Sequence, residues 1–404
     1  MPETYAYKVR DRGGKMLEGT LEAESTTLVA NKLRQMGYVP INIEKAAGAG
    51  LKTEINLFKA KPKLKDISVF SRQFATMINS GLSLLRALYI LSEQTENDGL
   101  RDVIVEVRTD VEKGASLSQA LAKHPKVFNK LYVSMVKSGE VGGVLDAVLL
   151  RLSTTIEKQV ELRGKVKSAL TYPVAVLGLV LMIVAAMLLF IVPIFKDLYD
   201  GLGGTLPLPT RILLIISSIL TKFMPLVVLV IAGLVFAFRR WIKTDSGRRS
   251  WDAFKLKVPI FGGLVQKTAL TRFCTTLSAL LRSGVPILEA LEIVSDTVNN
   301  TVMADAVKDV SLAVKGGESI HKPLQNHKVF PPMVVQMMAV GEETGALDEM
   351  LEKVGLFYEQ EVEATVDALT SLLEPALICV LGGAVGGMVV SLYMPMFNII
   401  KLIQ

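Results

Sequence analysis

The sequence predicts a mainly α-helical integral membrane protein with three transmembrane helices, two duplicated cytoplasmic helical bundles and a small N-terminal α/β module. Three observations carry this. Residues 173–195, 223–238 and 376–394 are apolar runs without a single charge. The segment before the first run recurs, nearly in register, before the third. Apolar residues in both copies follow a helical period, as at Phe70, Phe74, Met77 and Ile78. Half of the 404 residues are hydrophobic and only 21% are charged, which excludes disorder for the bulk of the chain. Two distant cysteines, Cys274 and Cys379, exclude a disulfide scaffold and read as small apolar fillers.

In chain order, residues 5–10 and 17–23 read as strands around the turn Asp11-Arg12-Gly13-Gly14. Ser25 can cap a helix that runs to Met36 and stops at Gly37, and residues 39–44 form a third strand. This module, 1–45, is followed by a flexible basic linker at 46–63, rich in lysine and carrying Gly48 and Gly50. Helical module one occupies 64–172. Its last stretch, from Val144 to Ala169, leads to Pro173 and the first span, 173–195, where a bend or a fresh helix start is expected. Residues 196–222 form a connection that contains an amphipathic helix from Thr210 to Thr221, placed outside the membrane, with Lys222 snorkelling at the interface. The second span covers 223–240, module two 241–375, the third span 376–397 and a tail 398–404. The first, uncharged over 23 residues, can cross about 30 Å of hydrocarbon; the second is a shorter run.

Arg239 and Arg240 end the second span and Lys243, Arg248 and Arg249 follow it, while Arg163, Lys165 and Lys167 precede the first. The connection between these spans holds few basic residues, so 1–172 and 239–375 are expected in the cytoplasm and the C-terminus in the periplasm. The first residues contain no apolar run, so no signal peptide is expected. The basic excess beside the membrane fits topology and anionic lipid, leaving no basic, aromatic-interleaved patch for nucleic acid. Module two stands apart: residues 258–375 carry 8 basic and 16 acidic side chains. Such a surface should meet a basic one, on module one or on a partner, in a salt-sensitive contact.

The duplication holds over about a hundred residues with one gap. At a spacing of 203 residues Phe70 matches Phe273, Ser80-Gly81 matches Ser283-Gly284, Gly114 matches Gly317, Ser116 matches Ser319 and His124 matches His327. At a spacing of 202, Gly139-Glu140 matches Gly341-Glu342 and Pro173 matches Pro375.

Chemistry-bearing motifs are scarce. There is no GxxxxGK[ST], HExxH, GxSxG or dinucleotide fingerprint, and no Cys/His cluster, so neither a cofactor nor catalysis is expected. Whether module-two carboxylates hold a divalent cation stays open. The repeated element is Gly-Glu-x-x-Gly-x-Leu-Asp: Gly139, Glu140, Gly143 and Asp146, then Gly341, Glu342, Gly345 and Asp348. A glycine can end one helix while a carboxylate covers the N-terminus of the next. Two readings stand: an inter-helix cap, which suffices physically, or a turn that contacts a partner. His124 and His327 read as loop residues. Gly382, Gly383, Gly386 and Gly387 form GxxxG in two registers, a pattern for close helix packing within or between chains.

The tandem modules, three spans and GE-x-x-G-x-LD repeat, with YKVRDRGGKMLEGTLEAES, VPIF, LPLPTR at 206–211 and SLYMPMF at 391–397, resemble the type II secretion F / type IV pilus inner-membrane platform family along the whole chain. The resemblance implies six-helix cytoplasmic modules and a bacterial inner-membrane location. It implies a platform that couples a separate cytoplasmic hexameric ATPase to pilin insertion. Pilin subunits, other inner-membrane assembly proteins, membrane lipid and further copies of the chain are the implied partners. LPLPTR and the tail look more like the pilus branch than the secretion branch. A transporter is the remote alternative, disfavoured because the spans hold no ionisable residue.

Overall fold

The computed structural model describes residues 3–10, 16–23, 25–45, 61–195, 208–259 and 261–403. The expected turn at 11–14 and most of the expected linker lie outside these residues. The chain divides into two units, 1–59 and 60–404.

In the first unit β1 (Glu3–Arg10) pairs antiparallel with β2 (Met16–Ala23) and with β3 (Val39–Lys45), in the order β2-β1-β3. Helix α1 (Thr26–Gln35) starts where Ser25 Oγ accepts the Leu28 N–H at 3.3 Å. Tyr5 and Val9 bury one face of the sheet against Val29 and Leu33.

The second unit is helical throughout its described residues. Module one is α2 (Leu64–Asn79), α3 (Leu84–Gln94), α4 (Asp98–Glu112), α5 (Leu117–Ala122), α6 (Lys130–Gly142) and the first part of α7 (Leu145–Ala186). The chain continues through a π turn at Met187–Ile191 to residue 195. Then come α8 (Leu208–Lys222), α9 (Met224–Ile242) and α10 (Asp245–Lys257). Module two repeats the six-helix plan with α11 (Phe261–Arg282), α12 (Ile287–Thr297), α13 (Thr301–Lys315), α14 (His321–Leu324), α15 (Pro332–Thr344) and α16 (Leu347–Ile403).

The repeat is visible in the packing. Phe70 meets Phe128 in module one with ring centroids 5.8 Å apart, and Phe273 meets Phe330 in module two at 5.0 Å. His124 faces Glu106 at 3.6 Å and His327 faces Asp309 at 3.5 Å. The two modules share one continuous apolar core. Their seam also carries Lys130–Asp296 at 2.7 Å, Lys158–Glu359 at 3.9 Å and Lys165–Glu363, so basic residues of module one meet the acidic surface of module two. Exposed pairs of this kind are screened by water and salt, so the shared apolar core and not the ion pairs holds the seam.

Three helices are long and apolar enough to cross a membrane: Leu145–Phe195, α9 and α16. Of the two alternatives expected at the prolines, a bend or a fresh helix start, the fresh start is excluded: α7 and α16 run through Pro173 and Pro375. Hydroxyls near each proline bond backbone carbonyls, Thr171 to Lys167 at 2.8 Å and Ser371 to Asp367 at 3.0 Å. These are ordinary bonds back to the preceding turn; the carbonyls that Pro173 and Pro375 leave without an N–H partner are those of Ala169 and Ser371. The irregularity in α7 falls later, at the π turn.

The helix expected at 210–221 is present as α8, separated from α9 at Phe223. Its contacts set it against the helices that carry the first and third apolar runs. Ser217 Oγ donates to the Leu188 carbonyl in the π turn at 2.6 Å, and Thr210 Oγ1 donates to the Ser391 carbonyl in α16. Both acceptors lie inside the apolar runs, so α8 packs beside the spans. Ile212, Ile215 and Ile219 point outward from it. Small hydroxyl residues face the neighbouring helices, where they satisfy backbone carbonyls. Leu213, Leu214 and Leu220 pack with them against Leu188 and Val192, and the isoleucines face away.

Helix α10 is tied to module two by the buried Asp252. Its Oδ2 accepts the Thr301 N–H at 2.9 Å, and its Oδ1 meets Lys255 Nζ at 2.5 Å. Burial raises the carboxyl pKa, but these partners more than offset it, leaving it below the ordinary value. A depressed folded pKa gives stability present above the unfolded value, about 3.9, and lost as pH falls through the folded value. Asp252→Asn should therefore cost about 2 kcal/mol near neutral pH. The difference from the parent should shrink below about pH 4, measured by thermal unfolding across pH.

Candidate functional site

The repeated Gly-Glu motif occupies the α6–α7 corner and its counterpart between α15 and α16. Gly139 and Gly341 stand where the helices cross. A Cβ on Gly139 would lie 3.0 Å from Val148 Cβ, and one on Gly341 only 2.8 Å from the backbone Cα of Leu347. Gly143 and Gly345 end α6 and α15 in left-handed conformation, at φ 68° and 72°. A side chain would strain that backbone. Two glycines thus do two jobs in each motif: one admits a close crossing, the other reverses the chain.

Sequence spacing alone assigns the carboxylate to the following helix. The structure places it elsewhere. Glu140 reaches back to the start of α5 and accepts the N–H groups of Leu117 at 2.5 Å and Ser118 at 3.0 Å. Glu342 accepts the Ile320 N–H at 3.0 Å and meets His321 Nδ1 at 2.8 Å. The His321 side chain thus stands where module one offers the Ser118 backbone. The two positions are 203 residues apart, and that repeat spacing is the available sequence signal. The N-terminus of a short helix is an unsatisfied row of donors, and a carboxylate is its best acceptor. Asp146 and Asp348 lie in the first turns of α7 and α16, where negative charge favours the helix dipole. Arg282 Nε approaches Asp348 at 3.6 Å.

Removing either carboxylate orphans two donors. Glu140→Ala or Glu342→Ala should each lower stability by about 2 kcal/mol. Thermal unfolding of the solubilised variants checks this. A variant that unfolds like the parent yet cannot support assembly would move the motif to a partner-contacting role.

The seam between modules carries no local sequence signal, because its contacts join residues over a hundred positions apart. Ser138 Oγ donates to the Ser283 carbonyl and Arg151 to the Arg282 carbonyl. The second copy's turn at Ser283-Gly284 therefore docks on α6 and α7 of the first.

The glycine stripe of α16 is exposed. Among the described residues, and apart from the adjoining backbone of α16 itself, nothing lies within 4 Å of a Cβ built on Gly382, Gly383, Gly386 or Gly387. Helix α9 buries none of its described residues. Among the described residues, no three His, Cys, Asp or Glu side chains converge to hold a metal ion. Cys274 is fully buried, and burial pushes its thiol pKa up, which makes it a poor nucleophile.

Comparison with known proteins follows the duplication. Residues 70–193 and 273–395 each match the family model for type II secretion system protein F, and residues 1–44 match the model for its N-terminal domain. The type IV pilus assembly protein PilC of Thermus thermophilus is 46% identical over 400 residues, 98% of each chain. PilC of Myxococcus xanthus is 38% identical over 99% of this chain and 96% of its own. Type II secretion system protein F of Xanthomonas campestris is 34% identical over 99% of both. With both halves matching the family model and these relatives aligned end to end, the chain belongs to the type II secretion system protein F family.

Proposed function

We propose that this chain is the inner-membrane platform of a type IV pilus assembly machine, coupling a cytoplasmic ATPase to the insertion of pilin subunits into a fibre. The observation that carries the reading is full-length similarity to relatives named type IV pilus assembly protein PilC. Architecture supports it. The last helix of each module runs unbroken into a membrane span, so a push on the module reaches the bilayer through a rigid rod. Orientation follows from the basic flanks: modules in the cytoplasm, C-terminus in the periplasm. The exposed α9 and the glycine stripe of α16 are the surfaces for lipid, for pilin helices or for further copies of the chain. A homo-oligomer suits a symmetric motor.

The test is purification of the full-length protein from solubilised membranes, with co-purifying proteins identified by mass spectrometry. Recovery of an assembly ATPase and pilins is expected. Pseudopilins with a secretion ATPase would assign the chain to type II secretion, the function named for the relative from Xanthomonas campestris. Recovery of neither with folded protein, or solute flux through the purified chain alone, would overturn the platform reading.

A further inference from the structure

The contact between the two modules is one-sided. Module two offers the turn that follows α11, and module one receives it on the corner of α6 and α7. Ser138 Oγ donates to the Ser283 carbonyl, Ser134 Oγ donates to Glu289 at 3.3 Å, and a Cβ on Gly284 would lie 3.4 Å from Ser138 Oγ. Ser283 and Val285 are buried there. The duplication gives each of these residues a counterpart. On the offering side Ser80, Gly81, Leu82 and Arg86 match Ser283, Gly284, Val285 and Glu289. On the receiving side Gln336, Val340 and Glu343 match Ser134, Ser138 and Val141. Modules related by a two-fold axis would bring these counterparts together as well. The structure keeps them apart. Among the described residues, and apart from its chain neighbours, nothing lies within 4 Å of a Cβ on Gly81. Ser80 is exposed, and Leu82 and Val340 stay 36% and 47% exposed. Helix α2 packs on α3 and α7, and α15 on α14 and α16, each inside its own module.

Each copy of the chain is thus left with one unused offering surface and one unused receiving surface, and the two are complementary. Val141 and Glu289 line the same groove of the existing contact, so their counterparts Glu343 and Arg86 fall together when that contact is repeated. Both are exposed. Arg86 lies over the Tyr89 ring at 5.5 Å, and neither it nor Glu343 has an ion pair among the described residues. An apolar residue beside a carboxylate in the first contact becomes a pair of opposite charges in the second. Leu82 and Val340, both apolar, stand in for Val285 and Ser138. On a larger scale module one is net basic and module two net acidic.

We propose that the chain assembles head to tail, the turn at Ser80-Gly81-Leu82 and Arg86 of one copy docking on Val340 and Glu343 of the next. The contact repeats between chains what the two modules already do within one. Direction relative to the bilayer permits it. Lys158 faces Glu359 and Lys165 faces Glu363, so α7 and α16 run side by side the same way. The operation that carries module one onto module two therefore keeps the membrane direction, and its repetition keeps every copy's spans in one bilayer. A heterologous contact closes into a ring or propagates as a row, with the acidic module of one copy against the basic module of the next. The proposal gives a homo-oligomer its surface, and it follows from the repeat rather than from the platform reading.

Thiol cross-linking in membranes tests it, on the full-length protein with Cys379→Ala to remove the exposed native thiol. Ser80→Cys and Val340→Cys in one chain, treated with a short bis-maleimide, should give a ladder of dimers and larger species. Two co-expressed chains, one with Ser80→Cys and the other with Val340→Cys, should join to each other while neither does alone. Arg86→Glu sets like charges together and should lower the cross-linked yield at least about tenfold. Arg86→Glu combined with Glu343→Arg should restore it. Thermal unfolding at the parent temperature shows that these exposed substitutions leave the fold intact. No cross-link in folded protein overturns the proposal. So does a cross-link between two Ser80→Cys chains, which would mean a two-fold contact, or capture of a different protein in place of a second copy. A yield that Arg86→Glu leaves unchanged, or that the charge swap does not restore, overturns it too. None of these readouts requires fibre assembly, so the contact stands or falls apart from the platform reading.

Discussion

Gly341→Ala is expected to destabilise the second module by about 3 kcal/mol, which lowers the unfolding temperature by roughly 10 °C. The added Cβ would sit 2.8 Å from Leu347 Cα, with Met350 Cβ and Cγ both at 3.2 Å. Backbone cannot move aside as a flexible side chain can, so α15 and α16 must separate, and their junction is the end of the rod that continues into the membrane. Alanine's better helix propensity, worth about 1 kcal/mol, offsets only part of this. The repeat supplies an internal comparison. Gly139→Ala meets first a side chain, Val148 at 3.0 Å, and backbone only at 3.2 Å. It should cost about half as much. Gly383→Ala meets nothing within 4 Å and should leave stability within about 0.5 kcal/mol. Thermal unfolding of the three variants in one detergent tests the order. Equal losses at 341 and 383 would show that helix crossing does not explain why the first glycine of the motif recurs in both copies.

The duplication, the three apolar helices and the helical character of both modules are legible because each is written in local pattern: a 203-residue offset, runs without charge, and a 3.6-residue period. Chain reversal at Gly143 and Gly345 is legible for the same reason, since only the backbone conformation of one residue is involved. The carboxylate is half legible. Its chemistry as a cap follows from residue type, but its target does not, because Glu140 bridges 23 positions back to Leu117 and only the packed bundle brings them together. Pro173 misleads in the other direction. Proline signals a boundary in an isolated helix, yet α7 continues through Pro173 in the apolar stretch, where no water competes for its backbone groups.

Inserting two glycines after Thr171, in α7, should abolish fibre assembly while leaving both helical modules folded. The site is chosen from the packing. Leu162, Val166 and Ala169 still contact Leu264, Val362, Val366 and Leu369 of module two, and beyond them α7 runs toward the first span. An insertion after Thr171 therefore spares both the shared core and this membrane-proximal cluster. It costs the helix about 2 kcal/mol locally and turns the span by roughly 200° relative to the module. If the platform works by moving its spans with its modules, that break in the rod removes the mechanical link at little expense in module stability. The matching site in α16 lies after Leu373, the repeat equivalent of Thr171 and likewise beyond the packed Leu369. The two insertions should act alike, since both copies use one continuous helix. Assembly is read by fibre shearing and electron microscopy, and module folding by limited proteolysis of the membrane-inserted protein. Normal fibres from a well-folded insertion variant would mean that force does not travel along these helices. The spans would then be anchors, and the work of insertion would have to pass through the surfaces the chain leaves exposed, α9 and the glycine stripe of α16.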